Sequence, residues 1–150
     1  MVKIVPVTPD RHADLVELVN ALADYEHLDR PSAEAVGRLC NDITGPHPRI
    51  ESVIALDNNE QPVGYAIYLE TYSSFRALPT MYLEDIFVRE EARGEGFGEA
   101  LFSHVVEAAK QRGCGRIDWQ VLDWNVTARE FYERRGARCL DEWKLYRIEL

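Results

Sequence analysis

Residues 89–101, REEARGEGFGEAL, set Gly94, Gly96 and Gly98 within five positions and run into a segment with helical apolar spacing. Glycine permits left-handed backbone angles and leaves no Cβ between the chain and a bound group. The start of a helix adds unbonded amides and the positive end of the helix dipole. A glycine-lined helix start is therefore an anion site, suited to a phosphate. Spacing excludes two nucleotide-binding patterns. A P-loop closes with Lys followed by Ser or Thr, whereas Gly98 is followed by Glu99. A dinucleotide-binding turn lies near the first strand, with an acidic residue about 20 positions on, but this stretch comes late and reads Gly-x-Gly-x-Gly.

Other residues that could do chemistry are fewer. Glu84 and Asp85 are adjacent carboxylates in a strand-like run, and neighbours on a regular strand point to opposite faces. Alternation alone does not choose between them, and a bulge would reset it. Phe131 and Tyr132 fit the buried stripe of a short helix. His12, His27, His47 and His104 are scattered singly, and Cys40, Cys114 and Cys139 lie in no Cys-x-x-Cys or Cys/His ligand pattern. No metal is expected, and the cysteines read as reduced thiols.

The elements that must position these residues follow from local pattern. Residues 2–7 read as a strand. Thr8, Pro9 and Asp10 then make a cap, a first-turn proline and an acidic first turn for a helix whose stripe is Leu15, Leu18, Val19 and Leu22. A second helix follows Ser32 with Val36, Leu39, Cys40 and Ile43 on one face. ESVIALD and PVGYAIYLETY, joined by NNEQ, predict an antiparallel hairpin, and TMYLEDIFVR a further strand. The glycine stretch leads from that strand into a helix with Phe97, Leu101, Val105 and Ala108 on one face. GRIDWQVL predicts another strand, NVTAREFYERRGA a short helix ended by Gly136, and CLDEWKLYRIEL a last strand. The pattern is mixed α/β.

At 150 residues the chain fits one domain, residues 1–150, able to bury about 70% of the surface its unfolded form exposes. Its 26 acidic against 17 basic residues give a charge of −9, a field that repels polyphosphate and favours cations. Nucleic acid is a poor partner. No apolar run reaches membrane-spanning length, and the start lacks the apolar core of a secretion signal. A cytoplasmic protein is expected, with no membrane association.

RGEGFG matches the Arg/Gln-x-x-Gly-x-Gly/Ala signature of the GNAT acetyltransferases. LADYEHL, YLEDIFVREEARGEGFG and DWNVTAREFYERRGA, in this order and at these separations, resemble the spermidine/spermine (diamine) acetyltransferase branch. The resemblance implies an α/β (α+β) acyl-CoA N-acyltransferase fold, a mostly antiparallel mixed sheet splayed at its fourth and fifth strands and flanked by helices. It also implies acetyl-CoA as cosubstrate, a small cationic amine as acceptor and a homodimer. By motif position, the pyrophosphate rests on the backbone from Arg93 through Gly94, Glu95, Gly96, Phe97 and Gly98 to Glu99. The pantetheine arm lies along Ile86, Phe87 and Val88, where an unpaired amide can face the thioester oxygen. Asn125, Thr127 and Ala128 match further cofactor contacts, and Tyr132 matches the tyrosine that gives a proton to the departing thiolate.

An alkyl ammonium with a reference pKa near 10.4 must lose a proton before it can attack. The resemblance gives Glu84 as a substrate contact and adds Tyr25 and Glu26 as a second one. A carboxylate touching the reacting nitrogen would raise its pKa, so the roles are split: Glu84 is the expected base, relayed through water, while Glu26 and Asp85 hold a remote ammonium. Direct attack in a ternary complex is expected, since no cysteine falls at a nucleophile position. Polyamines or diamines are favoured. Alternatives are an amino acid such as thialysine, an aminoglycoside, a protein lysine, or a domain that binds acyl-CoA without turnover.

Overall fold

The polypeptide, described over residues 2–150 in a computed structural model, divides into two compact units, Met1–Trp119 and Gln120–Leu150. In the first, strand β1 (Lys3–Pro6) leads through a 3-10 turn at Pro9–Arg11 into helix α1 (His12–Tyr25). The Thr8 carbonyl accepts from the Arg11 amide at 2.8 Å and closes that turn. Helix α2 (Ala33–Thr44) starts at Ser32, whose Oγ accepts from the Ala35 amide at 3.1 Å. That hydroxyl caps α2, whereas Thr8, the cap expected ahead of the first helix, makes no side-chain cap bond.

Strands β2 (Glu51–Leu56) and β3 (Pro62–Ser73) form the expected hairpin. Its turn is held by Asp57 Oδ1, which accepts from the Asn59 and Gln61 amides, both at 2.8 Å. Strand β4 (Leu78–Val88) returns antiparallel to β3. Helix α3 (Phe97–Gln111) then crosses over to β5 (Ile117–Trp119), which lies parallel to β4. The sheet order is β1-β2-β3-β4-β5. Parallel pairing runs only from Met81 opposite Ile117 to Leu83 opposite Trp119. Beyond that point, among the described residues, no strand pairs with that edge of β4. This is the splayed, mostly antiparallel sheet of the expected fold.

Both faces of the sheet are covered. Ile67 packs in a core with Leu15, Leu18, Ile54, Tyr65 and Phe87, against which Tyr25, Leu39 and Ile43 of the first two helices are laid. Its neighbour Tyr68 must point to the other face, where its hydroxyl lies 3.2 Å from His104 Nε2 on α3. Along α3 the buried residues include Leu101, Phe102, Val105 and Ala109. The expected Ala108 is only half-buried, because steps of four from Leu101 carry the stripe to Ala109.

The second unit contains helix α4 (Val126–Glu133), ended as expected near Gly136, whose φ is 85°. Two strand expectations are corrected. The strand read over residues 115–122 is regular only at Ile117–Trp119, and residues 139–150 form no regular element. The tail has strand-like composition, but a strand persists only where a neighbour pairs its amides. Among the described residues none does so, and Trp143, Tyr146, Ile148 and Leu150 are exposed. No helix of the described residues is long and apolar enough to cross a membrane.

Candidate active site

The two adjacent carboxylates of β4 are separated by a bulge. Ile67 pairs with Asp85 and Tyr68 with Leu83, so Glu84 is an extra residue with no counterpart on β3. Leu83 therefore shares the face of Tyr68, while Asp85 takes the face of Tyr65 and Ile67. Glu84 is exposed and Asp85 is not. Asp85 Oδ2 accepts from the Tyr65 hydroxyl at 3.0 Å. Burial pushes the Asp85 carboxyl up to about 6; the Tyr65 bond opposes this, and the charges of Glu84 and Glu26 add to it. The same burial, with the Asp85 charge, holds the Tyr65 phenol well above its ordinary range. Glu26, just past the end of α1, is raised by partial burial. The charges of Glu84 and Glu26, from two elements, thus both bear on the Asp85 carboxyl, an arrangement that favours a cationic guest.

Tyr25 joins this group. Its ring lies 6.2 Å from that of Phe87, and the Arg93 guanidinium sits 4.7 Å above it. Arg93 Nε also donates to the Val88 carbonyl at 3.0 Å. This side chain ties the glycine loop to the end of β4 and to α1. The Arg93 amide closes the 3-10 turn at Glu90–Ala92 by donating to the Glu90 carbonyl at 3.2 Å. The Arg93 amide, among the expected pyrophosphate contacts, is thus engaged within that turn.

Gly94 and Gly96 have φ of 83° and 89°. A Cβ at either would meet no protein atom within 4 Å, so glycine answers the backbone angle and leaves open space over the loop. Gly96 caps α3 without a side-chain bond, and the first helical bond runs from the Ala100 amide to the Gly96 carbonyl at 3.0 Å. The amides of Phe97 and Gly98 precede it. A helix start of this kind, with open space above its glycines, can accept an anion. Beside it, Ile86, Phe87 and Val88 pair with Ala66, Tyr65 and Gly64 on one edge only. Gly64 is required there, since a Cβ would come within 2.6 Å of the Phe87 carbonyl oxygen.

In the second unit, Asn125 Oδ1 accepts from the Ala128 amide at 3.2 Å and caps α4. This bond engages two of the expected cofactor-contacting residues in the helix start, while Thr127 is exposed. Tyr132 is half-buried, its ring edge-on to Phe131 at 5.6 Å, and the Arg135 guanidinium covers Phe131 at 3.4 Å from its centroid. The first unit therefore brings Tyr25, Glu26, Glu84 and Asp85 together beside the glycine loop, while Asn125, Thr127, Ala128 and Tyr132 share α4. Sequence reasoning missed Tyr65. Its signal was a tyrosine in a buried strand, whose hydroxyl needs a partner, but the register that makes Asp85 that partner depends on the bulge.

A cow thialysine N-epsilon-acetyltransferase (Bos taurus) is 34% identical over 146 residues, covering 91% of this chain and 85% of that protein. The L-ornithine N5-acetyltransferase NATA1 of Arabidopsis thaliana is 43% identical over 91 residues, 61% of this chain; the match spans only 40% of that protein. Among solved structures, an integron cassette protein from the V. cholerae mobile metagenome superposes with a TM-score of 0.83 at 29% identity, over 99% of this chain and 92% of its own. The family model described as acetyltransferase (GNAT) family matches residues 13–137 and so takes in β4, the glycine loop and α4. Agreement over that span, with the splayed sheet and the loop it predicts, makes this protein a member of the GNAT family of acetyltransferases.

Proposed function

We propose that the protein transfers an acetyl group from acetyl-CoA to a primary amine of a small cationic acceptor, by direct attack in a ternary complex, as one catalytic domain over residues 1–150. The observation that carries the acceptor reading is the pair of carboxylates, Glu26 and Glu84, that bear on the buried Asp85, next to the Arg93–Tyr25 contact that anchors the glycine loop. Acetyl-CoA supplies the activated acetyl group. Gly94, Glu95, Gly96, Phe97, Gly98 and Glu99 hold its pyrophosphate, with Arg93 bracing the loop, and Ile86, Phe87 and Val88 take the pantetheine arm along the open edge of β4. Asn125, Thr127 and Ala128 add contacts from the start of α4.

The chain's own residues handle the protons. Glu84, exposed at the bulge, reaches water and takes the proton of the attacking amine through it. Asp85 and Glu26, with Tyr25, hold an ammonium of the acceptor. A carboxylate in contact with the attacking nitrogen would raise that amine's pKa and oppose attack, so the two tasks fall to different side chains. Tyr132 donates a proton as the thiolate leaves. Three free cysteines suit the reducing cytoplasm, and a homodimer accords with the exposed apolar tail.

Diamines and polyamines carry the second ammonium that such a site recognises. The relatives named for thialysine and ornithine favour a second reading, the side-chain amine of a basic amino acid, for which the α-ammonium is the remote cation. Release of free CoA is the measurement, with spermidine, putrescine, thialysine, ornithine, lysine, an aminoglycoside and a basic peptide as acceptors and a no-amine control. Turnover is expected with the diamines or polyamines. Turnover confined to the amino acids would move the substrate and keep the chemistry. Acetyl-CoA binding with no amine acetylated would replace the enzyme reading by a binding domain.

A further inference from the structure

Tyr65 has no exposed surface, yet it carries a hydroxyl into the core of the sheet. Phenylalanine would fill the same space without the cost of burying a polar group. The hydroxyl is matched across two strands. Tyr65 pairs with Phe87 and Ile67 with Asp85, so the phenol reaches diagonally, two pairs along on the same face, to Asp85 Oδ2 at 3.0 Å. The reach exists because Glu84 is extra. The ring is itself held, packed at 6.4 Å from Phe87, which in turn meets Tyr25 at 6.2 Å.

The groups bearing on Asp85 come from each neighbouring element: Tyr65 from β3, Glu84 from β4 and Glu26 from the end of α1. Both charges among them are negative. The nearby cation, Arg93, is turned to the Val88 carbonyl and the Tyr25 ring. Resting on the acetyl-transfer reading above, we propose that Tyr65 is a positioning residue of the acceptor site, which fixes the Asp85 carboxylate by one oxygen and leaves the other to receive the acceptor's ammonium. Affinity for cationic acceptors is then set by Tyr65 acting through Asp85.

Tyr65→Phe is expected to raise the acceptor KM about tenfold, the loss of one bond to a charged group, with the acetyl-CoA KM unchanged. The hydroxyl favours the ionised carboxylate, so its removal lifts the Asp85 pKa and moves the acid limb of kcat/KM for the acceptor to higher pH. Asp85→Asn is expected to abolish that limb and raise the acceptor KM at least as far, and Tyr65→Phe added to it should change nothing more. An acceptor KM and acid limb like wild type in Tyr65→Phe, or additive effects in the double variant, would overturn the proposal. If Tyr65→Phe does not fold, an unchanged acceptor KM in Asp85→Asn overturns it alone. Carbon NMR titration of the Asp85 carboxyl, without substrates, separates this proposal from the acetyl-transfer reading. A higher midpoint in Tyr65→Phe supports the clamp whatever amine is acetylated, and an unmoved midpoint removes it.

Discussion

Tyr132 faces a mismatch that fixes what it can do: a phenol has a reference pKa near 10 and a thiol near 8.5, so full proton transfer is uphill by about 1.5 units. A hydrogen bond that strengthens as charge gathers on the sulfur removes the need for full transfer. Tyr132→Phe is expected to lower kcat about 100-fold with acetyl-CoA affinity kept, read by steady-state kinetics beside calorimetric titration of acetyl-CoA; an unchanged kcat across pH would remove the role. Asp85 carries the opposite tension, since the burial that readies it for a cation opposes its charge. Its folded pKa of about 6 lies above the ordinary 3.8. The folded state thus holds the proton more tightly, and stability is full below about pH 4 and lost as pH rises through about 6. The gap corresponds to about 3 kcal/mol. Asp85→Asn is expected to raise the melting temperature by several degrees at pH 8 and by far less at pH 4, followed by calorimetry at both pH values. A pH-independent difference would mean that Asp85 does not titrate as the structure implies.

At the scale of elements, the junction of β4 with α3 does the positioning. The bulge sends Asp85 and Glu84 to different environments, the early end of the β4–β5 pairing opens one edge beside Ile86–Val88, and the glycine turn aims the start of α3 at open space. Gly96 is constrained there, because its φ of 89° is one that a β-branched residue resists. Gly96→Val is expected to weaken acetyl-CoA binding at least tenfold while Asp85 keeps its pKa near 6. Titration calorimetry gives the first and carboxyl NMR the second; retained acetyl-CoA affinity would remove the pyrophosphate assignment. The order of elements and the glycine loop were legible in the sequence because each rests on local spacing and on residues with one strong preference. The candidate acceptor site was half legible. Glu84 and Asp85 could be named but not told apart, since a bulge depends on how two strands register and no spacing within β4 reveals it. Tyr65 was silent for the same reason. The tail failed differently: residues 139–150 have strand-like alternation, but strand formation requires a partner that composition does not supply.

Two features of the whole molecule bear on how it works with other molecules. A charge of −9 raises the local concentration of polycations and lowers that of other anions, so an anionic ligand such as acetyl-CoA gains nothing from the general field. Added salt should therefore raise the KM of a cationic acceptor more than that of acetyl-CoA. The second feature is the tail, where Trp143, Leu145, Tyr146, Ile148 and Leu150 are all largely exposed. Apolar side chains gathered in one short segment mark an interaction surface more often than a solvated one, and unpaired backbone with strand composition is suited to pairing with another chain. Light scattering on the full chain is expected to give twice 17.2 kDa, and a version ending at residue 138 to give a single chain mass. A mass of one chain at every concentration would remove the homodimer. A dimer that survives the truncation would place its interface elsewhere and leave the tail without a partner.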